Sequence, residues 1–88
     1  MKIKSDFVLR QIAQSHVVLP LAAETVNFNG MLTLNESGVM LWHVLEKGGD
    51  REALVKALTE EYEVTEEQAR ADAEAFLDRL IQYGCVEL

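Results

Sequence analysis

The sequence predicts an α+β domain with a winged-helix-like outline, a small sheet followed by a helical layer. Residues 7–13 and 15–21 are extended runs rich in Val, Ile and Leu, separated by the polar Gln14, which is the pattern of a hairpin. Gly30-Met31-Leu32-Thr33-Leu34 stops at Asn35, whose short side chain can accept a hydrogen bond from an orphan amide of a following helix. After Asn35, apolar residues return at helical spacing in three stretches, each with a start or stop signal of its own. The strand-to-helix junction around residues 30–42 joins the two layers. If Leu32 and Leu34 point inward, the next helix can lay Leu41, Val44 and Leu45 on the same apolar face.

In the second extended run Val17, Leu19 and Leu21 share one face, and His16, Val18 and Pro20 share the other. Pro20 removes a ladder donor, so pairing is expected to fade there. Residues 26–34 read in two ways. Asn29-Gly30 is a type I′ turn signal that makes two short strands of 25–28 and 31–34. Alternatively Phe28, Gly30, Leu32 and Leu34 share one face of a single third strand.

The first helix is expected from about Glu36 to Lys47, with Trp42 beside its apolar stripe, and Gly48-Gly49 supplies a left-handed stop. Asp50 caps a second helix in which Leu54, Val55, Leu58 and Tyr62 recur. Thr65-Glu66-Glu67-Gln68 has the form of a capping box, with Thr65 serving the third amide and Gln68 reaching back to the cap. Ala69, Ala73, Phe76, Leu77 and Leu80 trace the apolar face of the third helix, and Gly84 ends it before a tail expected to form a short strand or wing. The short link at 63–65 makes helices two and three a helix-turn-helix-like pair.

A chain of 88 residues, 49% hydrophobic and 26% charged, is expected to form one globular domain spanning 1–88. No apolar run reaches the roughly 20 residues that cross a bilayer, and residues 1–6 do not lead into a signal-peptide core. With the lone Cys85 unable to form an internal disulfide, a cytoplasmic location is expected.

Chemistry of other kinds lacks its residues. His16, His43 and Cys85 sit on different elements without ligand spacing, so no metal is expected. His16 reads as a polar-face strand residue, His43 as a solvated helix residue and Cys85 as a small buried hydrophobe. No nucleophile elbow or phosphate loop is present, which argues against an enzyme and against a cofactor. Fifteen Asp and Glu against 8 Lys and Arg leave a net charge of −7, which repels phosphate backbones. Asp72, Glu74 and Asp78 fall on the third helix, where a DNA-recognition helix would need cations. A small winged-helix transcription regulator is therefore the alternative reading, opposed by charge.

Phe7-x-x-Arg10, Val17-Val18-Leu19, Phe28-Asn29-Gly30-Met31-x-x-Leu34-Asn35-Glu36, Gly38 and Leu41-Trp42 together resemble the PqqD-like family. The match continues through Tyr62, Val64 and Phe76-Leu77 to Gly84, and Leu34-Asn35-Glu36 with Gly38 and Trp42 is its most specific part. The resemblance implies a three-stranded antiparallel sheet followed by three helices. It also implies a peptide chaperone that recognises the leader segment of a ribosomally made precursor and presents it to a modifying enzyme, commonly a radical S-adenosylmethionine enzyme. The longer stretch at 21–27 departs from the family outline and leaves the sheet register open.

The physical counterpart of that role is strand addition. An edge strand offers unpaired amides and carbonyls, which an extended peptide can take up. The groove implied by the resemblance lies between the third strand and the third helix, here Met31, Leu32, Thr33 and Leu34 facing Asp72, Phe76 and Arg79. Leu32, Leu34 and Phe76 also fit as core residues by their spacing. Met31, Thr33, Asp72 and Arg79 are the better candidates for contact, with Arg79 or Asp72 pairing a leader charge. The expected partners are a leader peptide and its modifying enzyme, with no nucleic acid and no membrane, in a monomer or a homodimer paired through an exposed edge.

Overall fold

The computed structural model describes residues 2–4, 7–20 and 32–87. In these the chain runs β1 (Lys2–Ile3), β2 (Phe7–Ile12), β3 (Ser15–Pro20), β4 (Leu32–Leu34), α1 (Glu36–Glu46), α2 (Arg51–Glu61), α3 (Glu66–Tyr83) and β5 (Val86–Glu87). The three-stranded antiparallel sheet, in the order β2-β3-β4, precedes the three helices as expected. The choice between one strand and two at 26–34 lies outside the described residues, apart from β4 itself. The tail is a strand, and it pairs with β1, placing Ile3 opposite Val86. The Lys4 amide donates to the Cys85 carbonyl at 2.9 Å and extends that pairing.

Register decides which side chains meet the helices. Ile12 pairs with Ser15 across the Ala13-Gln14 turn, Leu9 pairs with Val18, and Val18 pairs in turn with Leu32. Leu9, Val18 and Leu32 therefore share one face, joined by Leu34, and this face packs on the helical core. His16 pairs with Leu34, so it lies half-buried on this same face. That corrects its expected place on the polar face, because the face is set by pairing and not by the residue's own polarity.

Each helix is bounded by chemistry visible in the sequence. The Asn35 side chain accepts from the Gly38 amide at 2.9 Å, that of Asp50 from Ala53 at 3.0 Å, and that of Thr65 from Gln68 at 3.1 Å. The other half of the expected capping box is absent. Gln68 donates instead to Asp72 at 2.9 Å, one turn further on along the exposed face. Helix α1 closes with Gly48 at φ 86°, its amide on the Leu45 carbonyl and the Gly49 amide on that of Val44, both at 2.9 Å. Gly84 closes α3 in the same way at φ 91°.

Trp42, Leu54, Leu77, Leu80, Val18 and Cys85 are fully buried. Trp42, read as flanking the stripe, is wholly enclosed, because the sheet and the other two helices both pack into the core cluster it joins. Burial pushes the Cys85 thiol up to about 11, so it stays protonated and packs as a small hydrophobe. Ala69 and Ala73 are small, fully buried residues on the α3 face, and α2 and α3 are also tied at the surface. Arg70 forms a two-pronged pair with Glu52, at 2.8 and 3.1 Å, and Arg51 reaches Glu74 at 2.8 Å. Tyr62 does not continue the α2 stripe. The helix ends at Glu61, and Tyr62 has extended backbone and is 37% exposed.

Two outcomes are expected from this packing. A Cβ on Gly49 would lie 2.6 Å from Val44 Cγ1 and 2.8 Å from the Val44 carbonyl oxygen, so Gly49→Ala is expected to cost about 1–3 kcal/mol in chemical denaturation. The Arg70 guanidinium holds the Glu52 carboxyl below its ordinary value, so this group contributes stability above the ordinary carboxylate range and loses it as pH falls through its depressed value. The stability difference between the protein and Glu52→Gln should therefore be present at neutral pH and vanish in acid, as read by thermal melts across pH.

Candidate functional site

Among the described residues β4 is the outer strand of the sheet, and its register orients its backbone. The two-residue hairpin turn makes Ile12–Ser15 a hydrogen-bonded pair, and by alternation Arg10–Val17 is another. Val17 thus spends its amide and carbonyl on β2. Thr33, its partner on the other side, points its own amide and carbonyl out of the sheet. Its side chain is exposed as well.

Helix α3 crosses opposite this edge and donates to the sheet at two points one turn apart. The Tyr83 hydroxyl donates to the Val18 carbonyl at 2.6 Å, and its ring meets Phe7 edge-on at 5.8 Å between centroids. Burial raises the Tyr83 pKa, which keeps the phenol protonated and donating. Arg79 is exposed, and one guanidinium nitrogen donates to the outward Thr33 carbonyl at 3.0 Å. The edge expected to be unpaired is thus held at one carbonyl by a side chain of the facing helix.

Beside this contact lies a cavity of about 440 Å³ between the start of α1, the end of α2 and the outer side of α3. Asp72, Ala75, Phe76 and Arg79 form one wall, at the spacing of a single helical stripe. Asn35, Ser37 and Leu41 form a second, and Leu58, Tyr62 and Val64 close the far end. Both polar groups at the α1 lip are fixed, since the Asn35 carboxamide oxygen accepts from Ser37 Oγ at 3.0 Å as well as from the Gly38 amide.

Asp72, Phe76 and Arg79 therefore line one cavity, and Thr33 touches it through Arg79. Phe76 is 7% exposed and belongs to the core at the same time. Leu34, 4% exposed, is a core residue, and Leu32 is half-buried against the core. Met31 lies outside the described residues. Sequence reasoning about the site missed Asn35, Ser37, Leu41, Leu58, Tyr62, Val64 and Ala75. The usable signal was the i, i+3, i+4, i+7 stripe of Asp72, Ala75, Phe76 and Arg79, together with a tyrosine just after the last turn of α2.

Charge on this side disfavours nucleic acid. Arg51 and Arg70 are both committed to carboxylates, while the exposed Asp72 and Asp78 remain on α3. Among the described residues no group of His, Cys, Asp and Glu is arranged to hold a metal ion, and no helix is long and apolar enough to cross a membrane.

A sequence profile of the family described as coenzyme PQQ synthesis protein D matches residues 15–86. No curated protein matches the chain at a significant level. One solved structure, described as TbiB1 in complex with the TbiA(beta) leader peptide, is 30% identical. It covers 99% of this chain and 95% of its own, with a TM-score of 0.79. A second, described as lasso peptide synthetase B1 complexed with the leader peptide, is 21% identical, covers 99% of this chain and 96% of its own, and has the same fold with a TM-score of 0.78.

Because Asn35 both starts α1 and forms the lip of the cavity, Asn35→Ala is expected to lower stability by about 1 kcal/mol, and Asn35→Asp to retain most of it, in thermal or chemical unfolding.

Proposed function

This chain belongs to the PqqD family, and from that footing we propose that it binds the leader segment of a ribosomally synthesised precursor peptide and presents it to a modifying enzyme. The observation that carries the reading is the outward amide and carbonyl of Thr33 beside a cavity walled by α3. An extended leader adds to β4 as a further strand, its main chain supplying affinity, and its side chains enter the space between β4 and α3. The contacts assigned to it are Met31, Thr33, Asp72, Phe76 and Arg79, with Leu32 and Leu34 supporting the strand from the core side. That a structure of similar fold, 30% identical, was solved with a leader peptide supports a leader as the ligand.

The domain acts as a recognition element in the cytoplasm, where precursors are made, and leaves the chemistry to its partner. A radical S-adenosylmethionine enzyme is the partner kind implied by the family resemblance. A precursor modified only when S-adenosylmethionine is supplied would support that partner.

The test is a titration of the isotope-labelled domain with the leader of the short precursor encoded beside it. Amide shifts are expected along β4 and α3, with a dissociation constant of about 1 μM or below after the cost of ordering the peptide. Thr33→Pro deletes the outward amide and no bond to β3, so the fold should persist while affinity falls about tenfold or more. A folded domain that shows no shift at millimolar leader would overturn the proposal.

A further inference from the structure

We propose that Arg79 closes the β4 edge in the free domain and, when a leader binds, exchanges the Thr33 carbonyl for a leader carboxylate, so that the site selects an acidic residue at or beside the position pairing with Thr33. The inference rests on the leader-binding reading above and concerns the chemistry of the leader.

Three arginines lie on α2 and α3, and they are used differently. Arg51 and Arg70 each hold carboxylates at 2.8 Å. Arg79 has no carboxylate among the described residues, although the chain carries 15 acids against 8 bases, and Asp78 is its neighbour. Its hydrogen bond goes to a neutral backbone oxygen at 3.0 Å, and both sides of that contact are exposed. Tyr83, one turn along, makes its bond to the sheet partly buried and braced by Phe7. The two contacts divide the work: the Tyr83 bond holds the helix to the sheet, and the Arg79 bond can be given up without exposing the core.

Strand addition requires the Thr33 carbonyl, since an added strand takes the outward amide and carbonyl of that residue together. The guanidinium is then displaced, keeping its full charge, beside a peptide only one strand spacing away. A carboxylate there replaces a neutral acceptor with a charge-assisted one, whereas a lysine would face an uncompensated cation. At the other end of the same wall Asp72 stands seven residues back, about 10 Å along the helix axis, accepting from Gln68. The groove is therefore positive beside β4 and negative at its far end, which orients a leader of matching polarity.

The test walks a single Glu, Gln or Lys through the bound segment of the adjacent precursor's leader and measures each peptide by calorimetry against the protein, Arg79→Ala and Arg79→Glu. One register is expected in which Glu binds the protein about fivefold more tightly than Gln, on the scale of a partly exposed ion pair. In that register Arg79→Ala should lose the preference and bind the Gln peptide at least as well as the protein does, because the edge is already open. Arg79→Glu should prefer Lys. Peptides that bind with no such register, or an Arg79→Ala that weakens Glu, Gln and Lys peptides equally, would overturn the exchange while leaving leader binding in place. If no peptide binds the folded protein, the leader-binding reading fails and the exchange with it.

Discussion

The architecture depends on how little space separates the end of β4 from the start of α1. One residue, Asn35, leaves the strand, turns the chain and caps the helix by accepting from the Gly38 amide. The absence of a side chain at Gly38 lets the first turn settle on Leu34, since a Cβ there would lie 3.3 Å from Leu34 Cβ and 3.2 Å from the capping oxygen. With that junction held short, Leu34, Leu41 and Trp42 enter one core. The opening of α1 then borders the cavity, which the outward edge of β4 meets through Arg79.

Helix α3 serves the core and the groove through adjacent stripes. Ala69, Ala73, Leu77 and Leu80 are sealed inside, while Asp72, Ala75 and Arg79 line the groove and Phe76 contributes to both. The rigid contact at Tyr83 and the exposed one at Arg79 follow from this division. A groove wall that moved independently of the core could not keep a constant distance from the β4 edge, and strand addition needs one strand spacing along its length. Anchoring α3 through a half-buried phenol therefore holds the groove wall in place beside the sheet edge.

The acidic balance is consistent with this use. Negative charge on the helical layer is partly neutralised by Arg51 and Arg70, which clasp α2 to α3. What remains keeps polyanions away and leaves Arg79 as a cation at the mouth of the groove. A helix pair that resembles a DNA-binding motif in outline thus presents the wrong sign of charge to a phosphate backbone, and fold and function part company at the level of individual side chains.

Local chemistry was legible in the residues themselves. The caps at Asn35, Asp50 and Thr65, the glycine stops at 48 and 84, the hairpin at 7–20 and the buried face of α3 depend on neighbours a few positions apart, where period and propensity act. The candidate site was legible only in part. Asp72, Phe76 and Arg79 shared a stripe, but no local pattern distinguishes a groove wall from a solvated face. Leu34 and Phe76 show why, since burial depends on what another element lays over them. Only the tertiary structure decided that His16 takes the core face, that Trp42 is enclosed, that Tyr62 leaves the α2 stripe and that Arg79 reaches across 46 residues of sequence to the Thr33 carbonyl. Each depends on register or on the meeting of distant elements, and those are settled by packing over the whole domain, not by the residues beside them.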